Sequence, residues 1–561
     1  MKTVTPYLVA LYVVLLATTA HAQPQPVNIQ VDLTTVKGPI TPIWAWFGYD
    51  EPNYTYMKDG KKLLSEIARL SKVPVYVRTH SMLVTGDGEA ALKWGSTNAY
   101  TEDAQGKPIY NWTIVDRIFD TYIERGMKPI AQIGFMPEAL STHPQPYRHH
   151  WKPGDNYNDI YLGWAYPPKD YAKWSELVYQ WVTHSVARYG KKEVESWYWE
   201  LWNEPNISYW KGTVDEYIKL YDYTADAVKR ALPIARVGGP EVTGPGWDKS
   251  AQFFRAFMDH VVGGKNYVTG KTGTPIDFIT FHAKGAPKLV DGHVQMNMGT
   301  QLRDIDKGLE IVASYPTLRK LPIIIGESDP EGCAACSEDL HPQNAYRNGT
   351  MYSSYTAAVF ARKYDLAAAR GVNLVGAVTW AFEFEDQPWF RGFRDLATNG
   401  VDKPVLNVFR MFGMMQGRRV MVQPLTYDAP KIRDGSVRAE ADINALATKG
   451  ASEAAVMVWN YHDDNVPAPA APVSVHLKGL PPGKVLMKHY RIDQQFSNAY
   501  EAWKKMGSPQ HPTAAQVADL EKAGKLQLLT TPVWIDAAPN NTVVDFQLPR
   551  QGVSLVLFSW K

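Results

Sequence analysis

Cysteine is nearly absent from this chain, which has only two among its 561 residues. Cys333 and Cys336 enclose two alanines, and no second Cys or His pair has the spacing that would complete a four-ligand zinc site. We therefore predict no metal site and no cofactor. In an oxidising compartment the pair would form a local disulfide that holds a loop, with redox catalysis as the alternative.

An excess of charge of one sign is also missing. The formal net charge is +2, and acidic and basic residues are mixed along the chain. Tracking a phosphate backbone requires concentrated positive charge, so the sequence excludes nucleic acid as a partner.

Long apolar runs are lacking except at the N-terminus. Residues 7–19 are apolar, follow Lys2 and precede Ala-His-Ala at 20–22, a pattern typical of a cleaved signal peptide. The run is shorter than the roughly 20 residues that span a bilayer. We expect residues 1–22 to be removed and the mature protein to be secreted or periplasmic, without membrane contact. The sequence leaves the oligomeric state open.

What the chain does contain is an alternation of short strands and longer amphipathic segments. Strand candidates lie at residues 43–47, 75–79, 129–133, 197–202, 236–239, 278–282, 323–325 and 376–380. Eight such strands predict an α/β fold, a (β/α)8 TIM barrel over residues 23–415. No Gly-x-Gly-x-x-Gly loop follows the first strand, which disfavours a dinucleotide-binding sheet. One outer helix is predicted from Pro168 to a C-terminal stop at Gly190.

The pattern changes beyond residue 416. Short runs of alternating apolar and polar residues are separated by Pro, Gly and Asn, for example at 455–459, 473–477 and 553–558. This alternation is typical of antiparallel strands with one buried face. We predict a C-terminal antiparallel β-sandwich over residues 416–561, interrupted by a helical insertion between residues 500 and 524.

Two glutamates close apolar runs in the barrel. Catalytic groups of such barrels lie at the C-terminal ends of strands. The fourth strand leads into Asn203 and Glu204, and the seventh into Glu327. Cleavage of a glycosidic bond needs one protonated carboxyl group and one ionised carboxylate on either side of the bond. We therefore predict Glu204 and Glu327 as the catalytic pair.

The stretch Trp-Asn-Glu-Pro-Asn at residues 202–206, together with Glu327, resembles the clan A retaining glycosidases and glycoside hydrolase family 39 in particular. Segments at 77–80, 134–140, 403–404 and 491–503 extend the resemblance along most of the chain. It implies an exo-acting, double-displacement enzyme. In such an enzyme Glu204 is the acid/base, Glu327 is the nucleophile, and Asn203 binds the sugar 2-hydroxyl.

Further substrate-binding candidates close or follow other strands. They are His80, Phe135, Glu138, His282, Lys284 and Trp380. The two histidines could bind sugar hydroxyls or lie bonded in the core, and Glu138 could bind a hydroxyl or hold loops together. Trp380 is placed to form an aromatic floor under the sugar. We expect Arg78 to brace a catalytic carboxylate and Glu200 to be structural.

Different segments of the sequence point to different sugars as the substrate. His-Ala-Lys-Gly-Ala at 282–286 and Glu-Ser-Asp-Pro at 327–330 resemble α-L-iduronidases, and Arg391 or Arg394 could supply a second positive charge for a uronic acid. The segments at 134–140 and 167–171 resemble β-xylosidases. We predict a β-xylosidase that releases xylose from xylo-oligosaccharides. The alternatives are an iduronidase-like hydrolase of a uronic-acid glycoside and a non-catalytic carbohydrate-binding protein.

Overall fold

The computed structural model describes residues 26–561 apart from 331, 334, 381, 394, 395, 424 and 425. The predicted signal peptide and Arg394 lie outside the described residues. The chain forms a parallel sheet of nine strands and a mostly antiparallel sheet of ten. No helix in the described part of the chain has both the length and the apolar character needed to cross a bilayer.

The parallel sheet curls into a barrel. In chain order its strands are Trp46–Tyr49, Tyr76–Thr79, Lys128–Ile133, Tyr198–Leu201, Arg236–Thr243, Phe278–His282, Pro322–Glu327, and an eighth in two pieces, Asn373–Ala377 and Thr379–Trp380. The second piece pairs with the first strand, through Thr379 opposite Phe47. This pairing closes the barrel, and the predicted (β/α)8 fold is confirmed.

Each barrel strand is followed by an outer helix. The eight helices are Lys58–Ile67, Thr113–Ile123, Tyr171–Tyr189, Val214–Ala231, Asp248–Gly263, Met298–Ala313, Thr350–Arg370 and Pro404–Met414. The helix predicted from Pro168 to Gly190 is confirmed. Its first amides donate to the side chain of Asp170, and Gly190 ends it with a φ of 84°.

The second sheet carries most of the C-terminal chain. Its strands are Val27–Pro39, Arg418–Gln423, Asp442–Lys449, Glu453–Tyr461, Ala471–Lys478, Gly483–Ile492, Gln527–Leu528, Val533–Ala537, Thr542–Leu548 and Val553–Ser559. Three helices accompany it, Ala429–Gly435, Ala499–Lys505 and Ala514–Gly524. The last two form the predicted helical insertion, and the predicted antiparallel β-sandwich is confirmed.

One strand of this second sheet comes from the start of the described chain. Val27–Pro39 pairs antiparallel with Arg418–Gln423 and parallel with Ala471–Lys478. Alternate residues Ile29, Val31 and Leu33 are buried in the core of that sheet. The sequence boundary that placed residues 23–415 in the barrel is therefore corrected, because this strand buries its apolar face outside the barrel.

The helix Thr350–Arg370 connects the two units. It packs against both neighbouring barrel helices and against the strand Glu453–Tyr461 of the second sheet. Arg362 on this helix pairs with Asp442 of the second sheet at 2.7 Å, with both side chains buried. The helix is consequently covered on nearly all sides, which explains its many small residues.

Short elements fill the loops. They are the hairpins Tyr100–Glu102 with Pro108–Tyr110, Lys288–Val290 with His293–Gln295, and Ala397–Thr398 with Val401–Asp402, the 3-10 turns Pro52–Tyr54, Glu138–Leu140, Tyr157–Ile160, Gly163–Ala165 and Pro342–Arg347, and the short helix Lys191–Val194. Most follow the C-terminal ends of the barrel strands, where they build the walls of a cleft.

Candidate active site

A cleft of about 760 Å³ opens at the C-terminal end of the barrel and contains both predicted catalytic glutamates. Glu204 lies in the turn after the fourth strand and has a φ of 44°. Glu327 is the last residue of the seventh strand. Because the C-terminal ends of all barrel strands meet at one rim, residues far apart in sequence face each other there.

The two carboxylates are close. An oxygen of Glu204, an oxygen of Glu327 and a ring nitrogen of His282 all lie within 4.8 Å of one another. Retaining glycosidases hold their carboxyl groups about 5–5.5 Å apart and inverting ones about 6.5–9.5 Å apart. The close approach of these oxygens therefore fits a retaining pair.

Positive charge surrounds Glu327. Its carboxylate lies 2.8 Å from the Lys284 Nζ, and 3.3 Å from an Nη of Arg78. His80 contacts it through Nε2 at 3.0 Å. Burial favours the protonated acid, but the charges of Lys284 and His282 outweigh it and hold the pKa of Glu327 well below its usual value. Glu327 is therefore held in its ionised form, which its predicted role as nucleophile requires.

Glu204 has a different environment. Its carboxylate is 3.0 Å from the Nδ1 of His282, and its amide donates to the Glu241 carbonyl. The other nitrogen of His282 contacts the Glu241 carboxylate. Burial lowers the pKa of His282, but the charges of Glu327 and Glu241 raise it to about 9. The protonated ring donates from both nitrogens, so the buried Glu241 carboxylate fixes the ring, and the ring in turn orients Glu204.

Arg78 lies beneath the pair and links its supports. Its buried guanidinium contacts the Glu200 carboxylate, and donates to the Asn203 Oδ1 at 3.2 Å. It also lies 3.4 Å from Glu241 and within reach of Glu327. The expectation that Arg78 braces a catalytic carboxylate agrees with these contacts, as does the expectation that Glu200 is structural.

Glu200 and Glu241 share this buried site with opposite pKa shifts. Burial and the neighbouring Glu241 raise the pKa of Glu200 well above its usual value, although Arg78 opposes this. At Glu241 burial also raises the pKa, but the charges of Arg78 and His282 outweigh it, so the pKa of Glu241 is lowered. One proton and one negative charge are therefore divided between the two acids.

Lys284 forms ion pairs with two carboxylates. Its ammonium contacts both Asp329 and Glu327, and its side chain is 14% exposed at the cleft wall. Burial opposes its charge, but Asp329 and Glu327 raise the pKa of Lys284 above its usual value. The lysine thus lines the cleft with its charge balanced by the protein, and its contact with a substrate stays a prediction.

Trp380 is almost completely buried next to the cations that contact Glu327. Its ring is only 1% exposed. The Arg78 guanidinium lies 5.2 Å from the ring centroid and the Lys284 Nζ 5.8 Å from it. The indole therefore supports the cations that hold Glu327, and its role as a stacking floor for a sugar stays a prediction.

Phe135 and Glu138 are also placed away from the cleft. Phe135 is fully buried and packs on Trp164 and Trp202. Glu138 accepts a hydrogen bond from the Gln145 side chain. Because these contacts engage packing and loop residues, the structure does not bring either predicted side chain to the substrate space.

Two acids of the site are absent from the sequence prediction. Asp50 follows the first barrel strand and lies 3.3 Å from His80 and 3.5 Å from Lys93. Glu241 lies inside the fifth strand, which runs to Thr243. Both were hidden by strand ends placed two to four residues too early, at 47 and 239. With the observed ends, the rule that polar residues close apolar strands finds Asp50.

The far wall of the cleft contains the two cysteines. Cys333 and Cys336 are joined by a disulfide, which confirms the predicted local bridge. Both line the cleft together with Leu340 and His341. Arg391, one candidate for a second positive charge, instead pairs with Asp339 at 2.6 Å.

Comparison with known proteins points to one family. The chain matches the model of "Glycosyl hydrolases family 39" over residues 27–537. It is 28% identical over 425 residues to a beta-xylosidase of Caldicellulosiruptor saccharolyticus, covering 74% of this chain and 76% of that protein. It is 23% identical over 526 residues to an alpha-L-iduronidase of Mus musculus, covering 88% of this chain and 74% of that protein.

Solved structures share the fold. A monomeric beta-xylosidase from Caulobacter crescentus CB15 superimposes with a TM-score of 0.73 at 23% identity, covering 95% of this chain and 99% of that one. The two-unit architecture of barrel and second sheet is thus a known one.

Proposed function

We propose that this chain, which belongs to glycosyl hydrolase family 39, is a retaining exo-acting β-xylosidase that releases xylose from xylo-oligosaccharides. One observation carries the mechanism: Glu204 and Glu327 have oxygens within 4.8 Å of each other, and Glu327 contacts both Lys284 and Arg78, whereas the only cationic group described at Glu204 is the His282 ring. That asymmetry supplies one attacking carboxylate and one acid.

In the first step Glu327 attacks the anomeric carbon while Glu204 gives its proton to the departing oxygen. The product is a glycosyl-enzyme ester. In the second step Glu204 takes a proton from water, which attacks the same carbon and releases the sugar with its original configuration. Asn203 would meet the sugar 2-hydroxyl with its amide N–H groups, because Arg78 donates to its Oδ1.

The charge balance supports a neutral sugar. Each of the three lysine and arginine cations described at this centre faces a carboxylate: Arg78 faces Glu241, Lys93 faces Asp50, and Lys284 faces Asp329. A uronate carboxylate binds most strongly to a cation whose charge is not already neutralised. A xylose unit, which carries only hydrogen at C5, makes no such demand.

A second candidate is an iduronidase-like hydrolase of a uronic-acid glycoside. Lys284 favours it, because this ammonium lines the cleft and remains partly exposed. A bound carboxylate would have to share this lysine with Glu327 and Asp329.

The deciding experiment compares an aryl β-D-xyloside with the matching aryl α-L-iduronide. We expect faster release of the aryl group from the xyloside. In Lys284→Met, activity on a uronide should fall much further than on a xyloside if the lysine binds a carboxylate. Preference for the uronide would transfer the assignment to the second candidate, and no release from any pentoside or uronide would favour a non-catalytic binding protein.

We also propose that the protein is exported. The disulfide supports this, because such bonds persist in the periplasm or outside the cell and are rare in the cytosol. Cell fractionation, with the N-terminus of the mature protein read by mass spectrometry, tests it. Cleavage after residue 22 is expected, and an intact cytosolic chain would contradict the proposal.

A further inference from the structure

The cleft extends beyond the catalytic pair. Its volume of about 760 Å³ is lined, away from Glu327, by Thr243, Gly244, Trp247, Thr300 and Asp304. Pockets of about 300–1,000 Å³ hold ligands of drug size, so the space exceeds what one pentose fills. The roles given to Glu204 and Glu327 do not use this part of the cleft.

Trp247 has the form of a platform. Its side chain is one of the most exposed large apolar groups of the described residues, at 60%. The ring lies over Gly244, where an added Cβ would meet indole atoms at 3.0–3.2 Å. The Trp247 amide also donates to the Gly244 carbonyl at 2.9 Å. One face of the indole is therefore backed by backbone, and the other remains open.

Asp304 lies beside this platform. It is one turn from Thr300 on the helix Met298–Ala313, so both side chains share a face. Its Oδ1 accepts from the Gly246 amide at 3.1 Å, next to Trp247. The residue is 8% exposed yet lines the cleft, and burial raises its pKa to about 6. The carboxyl group therefore holds the loop and also presents an acceptor to the cleft.

The position of the Trp247 loop relative to Glu204 indicates on which side of the glycosidic bond this part of the cleft lies. The loop from Gly244 to Trp247 continues the fifth strand, whose Glu241 carbonyl accepts from the Glu204 amide. Gly244 in turn donates to the His282 carbonyl. The loop that carries the platform thus continues the strand that holds the turn of Glu204, the proton donor of the proposed mechanism, and on this ground we assign it to the leaving-group side of the bond.

We propose that Trp247 and Asp304 form a binding subsite for a second, uncharged sugar unit on the leaving-group side. The open indole face stacks on the C–H face of that ring, and the Asp304 carboxyl accepts from one of its hydroxyls. An anionic unit is disfavoured because its charge would face Asp304. This inference rests on the proposed function for its catalytic step, but the choice of xylose does not enter it.

The test compares two substrates with the same glycone: the glycosyl fluoride, whose leaving group has no ring, and the disaccharide. In Trp247→Ala we expect kcat/KM for the disaccharide to fall about 10-fold further than for the fluoride, mainly through KM. Trp534→Ala removes a similarly exposed indole from the second sheet and is the matched control. Equal losses on both substrates in Trp247→Ala would overturn the subsite.

Asp304→Asn separates recognition from loop support, because the amide oxygen still accepts from Gly246. A loss confined to the disaccharide supports recognition by the carboxyl group. Full disaccharide activity in Asp304→Asn would remove Asp304 from the subsite. If xylosides are not cleaved but uronides are, the proposed glycone fails and the same substrate ratio is measured with uronyl fluoride and its disaccharide.

Discussion

Replacing Lys363 by methionine should stabilise the protein in a strongly pH-dependent way. Lys363 lies on the helix Thr350–Arg370 with no exposed surface. Its Nζ donates to the Ser328 carbonyl at 3.4 Å and lies 3.9 Å from the Phe360 ring centroid. Burial lowers the pKa of Lys363 to about 7, although the charge of Asp329 opposes the shift.

The sign follows from proton binding. In the unfolded chain a lysine has a pKa near 10.4, so between about pH 7 and pH 10 the unfolded state binds more protons than the folded one. The contribution of Lys363 to the free energy of unfolding therefore rises with pH across that window. It rises by about 1.4 kcal/mol per pH unit where the unfolded state binds one whole proton more than the folded state. Between pH 7 and pH 9 the contribution of Lys363 to the free energy of unfolding changes by about 2 kcal/mol. The change is smaller than the full slope would give, because at pH 7 the folded lysine is half protonated.

Methionine matches the length of the lysine stem and does not titrate. The gain in unfolding free energy from Lys363→Met should therefore be about 2 kcal/mol larger at pH 7 than at pH 9. Urea denaturation of both proteins at the two pH values measures this difference, and other titrating groups cancel in the comparison. Lys522→Met, at an exposed position of the helix Ala514–Gly524, is the control. Parallel stability–pH curves for wild type and Lys363→Met would refute the reasoning.

Three further predictions concern the cleft. Glu204→Ala should lose about 100-fold or more on substrates with poor leaving groups and far less on activated aryl glycosides, because these need little protonation; equal losses in kcat/KM would contradict its role as the acid. Glu327→Ala should abolish turnover of both kinds of substrate, and a glycosyl-enzyme adduct should be absent from its intact mass spectrum after incubation with a slow substrate. The double variant Cys333→Ser with Cys336→Ser should lose about 2 kcal/mol of stability, a small loss because the bridge spans a sequence separation of only 3; unchanged thermal unfolding would contradict this and show that the bridge does not restrain the unfolded chain.

The barrel was predictable because its strands are buried on both faces and read as short apolar runs. Glu204 and Glu327 emerge from the sequence for the same reason: each interrupts such a run where a strand ends. Asp50 and Glu241 lie within a few residues of the predicted strand ends, which is within the error of boundaries drawn from apolarity alone. The acidic residues of the site could therefore be predicted only as accurately as the ends of the strands that carry them.

Side-chain direction depends on packing that the sequence does not display. Trp380 closes the eighth strand at the expected place, yet its ring lies against Gly48 of the first strand, where any side chain would overlap it. The absence of a Cβ on a neighbouring strand thus determines where the indole goes. In the same way, Val27–Pro39 finds its partners almost 400 residues later in the chain, a pairing that local alternation cannot indicate.

The arrangement around Lys284 explains why a motif shared with iduronidases is compatible with a neutral sugar. The lysine pairs with Asp329 and Glu327, and with His282 it keeps Glu327 ionised in a buried place where desolvation would otherwise protonate it. In this chain that role of the cation does not depend on what the glycone carries at C5. The residue is therefore explained by the chemistry common to both activities, and specificity must be decided by whether its remaining N–H donor meets a carboxylate or only water.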